Sequence, residues 1–219
     1  MKKLLFSALA ALGLMAFSTN ANAQISLEDL PPYKLGVTAG LNASSFSRDG
    51  FDGKLGFHVG VNALFDASKL LDNTYVRAEL LFQRKGSREE VFTLDDTKHM
   101  MKYRTCYLEL PIHYGYACGL DNDWTIFGET GPYFAMGVGG RSRLGYEDEN
   151  TGLKVTHSDK FFSGPGDPSN FDMGWGIHVG AIFQQDHQLS IGWDWGFINM
   201  NDAYLQNRNF MISYTYYFM

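Results

Sequence analysis

Ten ionisable residues share one alternating position along this chain: Lys34, Arg77, Glu79, Glu109, Glu129, Asp172 and Asp194, with His58, His113 and His178. Carboxylates and imidazoles gathered in one place can relay protons, hold cations or activate a water between paired acids. Whether they meet depends on the elements that carry them. Other chemistry is sparse. His157 and Asp159, with the acidic run Glu147, Asp148 and Glu149, could take a loosely held divalent cation, but no tight multi-ligand spacing is present and a solvated loop accounts for them. Thr156-His157-Ser158 is the only Ser/His adjacency, and neighbours on an extended segment do not face each other. Gly137, Gly139 and Gly140 are followed by no helix, so a phosphate cradle fails its structural context. Asn42-Ala43-Ser44 matches a glycosylation sequon but falls inside a strand pattern. These readings point to a protein that is not an enzyme and holds no metal or cofactor.

The elements are strands. Apolar residues alternate with small or polar ones at period two, segment after segment. Leu35, Val37, Ala39 and Leu41 oppose Lys34, Gly36, Thr38, Gly40 and Asn42; Leu55 to Phe65 oppose His58, Gly60 and Asn62; Val76, Ala78, Leu80 and Phe82 oppose Arg77, Glu79 and Gln83. Cys106, Leu108, Leu110, Ile112, Tyr114 and Tyr116 oppose Glu109, His113 and Gly115. The fifth segment, from Trp124 to about Gly140, is less regular; its single charge, Glu129, sets the parity, and Pro132 is expected to mark a bulge. Phe171 to Phe183 oppose Asp172 and His178, Leu189 to Phe197 oppose Asp194, and Phe210 to Phe218 oppose Ser213, Thr215 and Tyr217. Cys106 and Cys118 lie on one extended segment, roughly 40 Å apart at the strand rise, so they form no disulfide and read as small apolar fillers.

A soluble sandwich also alternates, so the environment of the apolar face needs separate evidence. Residues 1–23 read as a cleavable export signal: Lys2 and Lys3, an apolar run from Leu4 to Phe17, then Ala21-Asn22-Ala23. Residues 24–219 would then form one domain outside the inner membrane. Loss of the two lysines takes the net charge from −6 to −8, which argues against a nucleic-acid partner. Aromatics at 15% and 24 glycines favour an all-β chain. The large rings Trp175, Trp193, Trp195, Tyr214, Tyr216 and Phe218 fall on the apolar face, and the glycines and charges on the other. A membrane barrel turns the first face to lipid and closes the second around its lumen. Long polar connections near 44–53, 87–104, 141–170 and 199–208 alternate with short ones at 67–74, 119–123 and 184–188, as outer-membrane barrels alternate outside loops with periplasmic turns. The prediction is an all-β, eight-stranded antiparallel transmembrane up-and-down β-barrel in the outer membrane. A ten-stranded barrel would require a further hairpin within 141–170. Eight strands leave a lumen that side chains can fill, so the inward set reads as a plug of mutually paired groups.

The segments "GVTAGLNASSF", "LGFHVGVNALF", "AELLFQRKG", "LELPIHYGY", "GPYFAMGVGG", "FDMGWGIHVGAIF" and "RNFMISYTYYF", in this order, resemble the PorT-like outer-membrane β-barrel proteins of the porin family typical of Bacteroidetes. The resemblance implies an eight-stranded barrel, and one member of that family is associated with secretion across the outer membrane. Many such barrels end in an aromatic residue read by the insertion machinery, whereas here Phe218 is penultimate and Met219 last. The partners implied are outer-membrane lipid, the barrel-insertion machinery during biogenesis, and a protein engaged through the loops, above all Arg141 to Asn170 with Phe161, Phe162, Pro165 and Pro168. The function expected is structural or interactive. A narrow passive pore is the alternative, and a lipid-active enzyme the third reading.

Overall fold

A computed structural model describes residues 33–47, 51–94, 97–120, 123–148, 154–162, 170–199 and 205–218. The signal expected over 1–23 lies outside the described residues, as do Glu149, Pro165 and Pro168. Nine strands follow in order: β1 (Tyr33–Phe46), β2 (Phe51–Asp66), β3 (Thr74–Leu94), β4 (Thr97–Gly119), β5 (Trp124–Asp148), β6 (Lys154–Lys160), β7 (Phe171–Phe183), β8 (His187–Gly196) and β9 (Asn207–Tyr217). All neighbours are antiparallel, and the pairing of β1 with β9, in register from Gly36↔Tyr217 to Phe46↔Asn207, closes the sheet. Eight strands make the ring, because β5 pairs with β7 along Trp124–Met136 and with β6 only beyond it, along Arg141–Glu147. The segment 141–170 therefore does hold an extra hairpin strand, but it stands on top of the barrel wall rather than in it.

The polarity of the barrel is inverted relative to a soluble fold. Leu41 is 65% exposed and Leu55 81%, in a belt of outward aliphatic and aromatic side chains that circles the barrel, while charged residues fill the inside. Only a lipid surround makes that arrangement favourable. Among the described residues no helix is long and apolar enough to cross a membrane.

Two expectations about the connections need correction. Residues 87–104 are not a loop: β3 runs to Leu94 and β4 starts at Thr97, and the two pair as far as Leu94↔Thr97 with one register shift between Glu90 and Phe92. At about 3.4 Å per residue, strands of 21, 23 and 25 residues are far longer than a membrane crossing, so β3, β4, β5 and β6 continue outward as a four-stranded extension. The sequence there does not alternate apolar with polar because neither face lies in the acyl-chain layer, and it therefore looks like loop. Pro132 marks no bulge either. Its pairing with Trp175 is in register, and the extra residue lies at Val138, where Tyr107↔Gly137 gives way to Cys106↔Gly139.

The short periplasmic ends turn tightly. Asn73, Asp123, Gln184 and Gln185 all have positive φ, between 50° and 65°, a left-handed conformation that Asn and Asp tolerate better than the paired glutamines.

Candidate functional site: the filled lumen

Strand alternation aims Lys34, Arg77, Glu79, Glu109, His113, Glu129, Asp172, His178 and Asp194 inward, and the fold buries all nine. Register then decides which of them meet. Pairing of Arg77 with His113, of Glu129 with His178 and of Gly176 with Asp194 brings β3, β4, β5, β7 and β8 to one level. Arg77 Nη2 donates to Glu129 Oε1, lies 3.7 Å from Glu79 Oε2 and 3.4 Å from His178 Nδ1. Tyr75 OH donates to the other Glu129 oxygen at 2.9 Å, and His113 Nδ1 stands 3.3 Å from Oε1. His178 Nε2 reaches Asp194 Oδ1 at 3.2 Å. The two imidazoles pack edge to face, with centroids 4.6 Å apart.

Nearer the outside the chain of contacts continues. Asn209 Nδ2 donates to Asp194 Oδ2 at 3.4 Å and to Gln83 Oε1 at 3.2 Å; Gln83 Nε2 donates to Glu109 Oε1 at 2.8 Å; Lys85 Nζ donates to Glu109 Oε2 at 2.6 Å. The Lys85 ammonium also lies 5.4 Å from the Tyr107 ring centre and 5.0 Å from that of Tyr133. Tyr133 OH and Asn207 Nδ2 both donate to Asp172 Oδ2, at 3.1 and 2.7 Å. One network of hydrogen bonds, ion pairs and ring contacts thus runs along the lumen from Tyr75 to Asp172. Lys34 stands apart near the periplasmic rim, its ammonium donating to the Gln185 carbonyl at 3.1 Å.

Aromatic clusters cover both ends of the network. On the periplasmic side Leu64, Tyr75, Ala117, Phe127 and Tyr217 pack together; on the outer side Phe46, Tyr107, Tyr133, Ala135, Phe161 and Leu205 do. Phe161 and Phe162 follow β6 and fold back over the mouth, where the Phe162 ring meets Tyr107 with centroids 5.7 Å apart. Charged groups buried this way are tolerated only when paired, and here the central ones are.

His113, Glu129 and His178 have the donor set of a metal centre, with ligand atoms within 4.8 Å of one another. Arg77 Nη2 stands against both Glu129 Oε1 and His178 Nδ1, so a cation already holds the point on which they converge. A nucleophile–base contact that no motif announces also exists: Ser213 Oγ and His58 Nε2 are 2.8 Å apart. His58 is buried and its Nδ1 has no acid partner, so the third member of a relay is missing. On β6, Thr156 and Ser158 sit on one face and His157 on the other, paired with Leu144, and His157 instead lies 3.3 Å from Asp159 in the open.

Lys85, the cation of the outer half, escapes the sequence reading because the apolar alternation that marks the third strand ends at Phe82, while the strand itself runs on to Leu94 with Lys85 two residues past Gln83 on the same face. That reading also misses the neutral partners Tyr75, Tyr133, Asn207 and Asn209, which no charge pattern advertises. Outside, Trp175, Trp193, Tyr214, Tyr216 and Phe218 are exposed on the lipid face and Trp195 partly so. Trp175 Nε1 donates to Thr130 Oγ1 at 2.7 Å, which satisfies the indole where lipid offers no acceptor. Cys106 and Cys118, both on β4, are free thiols.

A closed antiparallel ring of eight strands, apolar outside and polar within, defines an integral β-barrel of the outer membrane. Among the solved structures the chain is similar to are neisserial surface protein A (10% identity, 86% of this chain and 98% of that one, TM-score 0.42), Ail of Yersinia pestis in complex with the heparin analogue sucrose octasulfate (12%, 86% and 100%, TM-score 0.39), and the β domain of the Bordetella autotransporter Brka (15%, 86% and 100%, TM-score 0.34). The chain belongs to the family of outer membrane protein beta-barrel domains, whose family model matches residues 22–202. No curated relative matches the sequence.

Proposed function

We propose that this barrel is a closed membrane anchor with a structural or interaction role, carrying its extension of β3 to β6 above the outer surface for a protein partner. The observation that carries the reading is the continuous network from Tyr75 through Arg77, Glu129, Asp194 and Glu109 to Asp172, with an aromatic cluster at either end. An eight-stranded lumen is just wide enough for such filling, which leaves no path for bulk water or ions. The PorT-like resemblance fits a role of this kind, and residues 1–23 serve in this reading as the export signal. The barrel lipid is its first partner, and the insertion machinery would read the closing strand at Tyr217-Phe218. Enzymatic action has no support in the enclosed Ser213–His58 contact.

Planar-bilayer recording tests the closed lumen. The expected outcome is no steady open channel of porin size from the full protein. Large, steady conductance that falls on substitution of Lys85 or Glu109 would make these residues pore-lining and turn the reading into a narrow passive pore.

A further inference from the structure

On the outward face of the extension, cations stand opposite one another in register, and among the described residues the one carboxylate in an ion pair there, Asp52, is held by Arg88. Lys102 pairs directly with Arg143, and Arg104 with Arg141. Arg84 stands on the same face of β3, between the inward Gln83 and Lys85. Like charges directly opposite each other on a sheet repel. Lys54 joins them from β2. Gly86 has no side chain, and a Cβ there would lie 3.1 Å from Lys54 Cδ, so the lysine crosses the outer side of β3 at that gap. Its ammonium is buried without a hydrogen-bond partner, among the like charges of Arg104, Arg84, Lys102 and Arg143. Among the described residues none of these six cations has an ion pair; neighbouring Arg88 does, with Asp52 at 3.2 Å. A buried ammonium surrounded by cations calls for an anion of another molecule.

Position identifies the source. On the same outward face the cations follow straight on from the apolar belt. Arg84 lies two residues beyond the lipid-facing Phe82, about 7 Å along the strand, and Arg104 four beyond Leu108, about 14 Å. Arg141 follows Met136 and Val138 in the same way. The patch looks sideways into the headgroup layer instead of along the barrel axis toward the medium. We propose that Lys54, Arg84, Lys102, Arg104, Arg141 and Arg143 bind the phosphate groups of a phosphorylated outer-leaflet lipid, whose acyl chains lie against Phe82, Leu108 and Val138. Neither a closed nor an open lumen bears on this assignment.

Native mass spectrometry of the full, folded protein in detergent provides the test, with lipid A carrying both phosphates against the same lipid after dephosphorylation. Wild type should retain the phosphorylated lipid about tenfold better, the value of one charge-assisted hydrogen bond. Arg104→Ser/Arg143→Ser should largely erase that preference, and Lys69→Ser on a periplasmic turn should leave it intact. Heat-dependent gel mobility shows whether each variant is folded; if the double variant is not, Lys54→Met and the two-lipid comparison on wild type still decide. Equal retention of both lipids by wild type, or an undiminished preference in a folded Arg104→Ser/Arg143→Ser protein, would overturn the proposal. So would capture of soluble polyphosphate through these residues with no preference between the lipids, which would make the patch a site for a soluble polyanion.

Discussion

Lys85 and Lys54 are neighbours on opposite sides of one barrel wall. Lys85 points inward, donates to Glu109 at 2.6 Å and lies beside two tyrosine rings. Lys54 crosses outside at Gly86, beneath a face of arginines, with no partner for its ammonium. Side chains fill the lumen and bury its charged groups, so their counter-charges come from the chain itself, and Arg77 finds Glu129 for the same reason. The outward face borders another material that can supply the opposite charge. Removing a charge should therefore be costly in the first region and mild in the second.

The largest effect is expected inside. Arg77→Ala leaves Glu129 buried without its guanidinium, which should cost about 3–5 kcal/mol in urea unfolding from lipid vesicles followed by tryptophan fluorescence. Adding Glu129→Gln to that variant should recover a substantial part of the loss, because the orphaned charge goes with it. If the double variant is no more stable than Arg77→Ala, the pair is not what holds this level of the lumen.

Next comes the boundary between faces. Ile177→Arg places a charge near mid-membrane on the lipid side and should cost about 2–4 kcal/mol. Alternation alone would rank Gly176→Ser as harmless by comparison, but a Cβ at 176 would stand 2.6 Å from Asp194 Oδ1 and 3.0 Å from His113 Nε2. Both variants should refold poorly, for different reasons. Gly128→Ala, whose Cβ meets nothing closer than Val179 at 3.9 Å, should refold like wild type.

That pair of glycines shows where sequence reasoning stops. Alternation is a local signal, and it assigned Arg77, Glu129 and Asp194 to one face from their immediate neighbours. Height in the barrel is not local. Arg77 and Glu129 meet across 52 residues of chain only because β3, β4 and β5 pair in one register, which no single segment encodes. The extension above the membrane was illegible for a different reason. Once both faces of a sheet leave the acyl-chain layer, the apolar half of the pattern disappears, and Lys102 opposite Arg143 looks like two unrelated basic residues. Phe161 and Phe162 were visible as unusual loop residues, yet their place over the mouth depends on β6 folding back along β5.

The smallest effect distinguishes the two regions by sign. Arg143→Glu replaces the cation opposite Lys102 with a carboxylate, and in detergent free of anionic lipid this should stabilise the protein by about 0.2–1 kcal/mol, the usual worth of an opposite-charge pair across a sheet. Both side chains border solvent, so the gain should shrink as salt is raised, since the screening length at 1 M falls to about 3 Å. In vesicles containing phosphorylated lipid A the same substitution should lose its advantage, because the wild-type arginine then has a partner and the glutamate faces phosphate. Thermal unfolding in the two media reads the difference directly. A variant less stable than wild type in the anion-free detergent would mean that Arg143 is already satisfied within the chain, and the contrast between the two sides of the wall would fail.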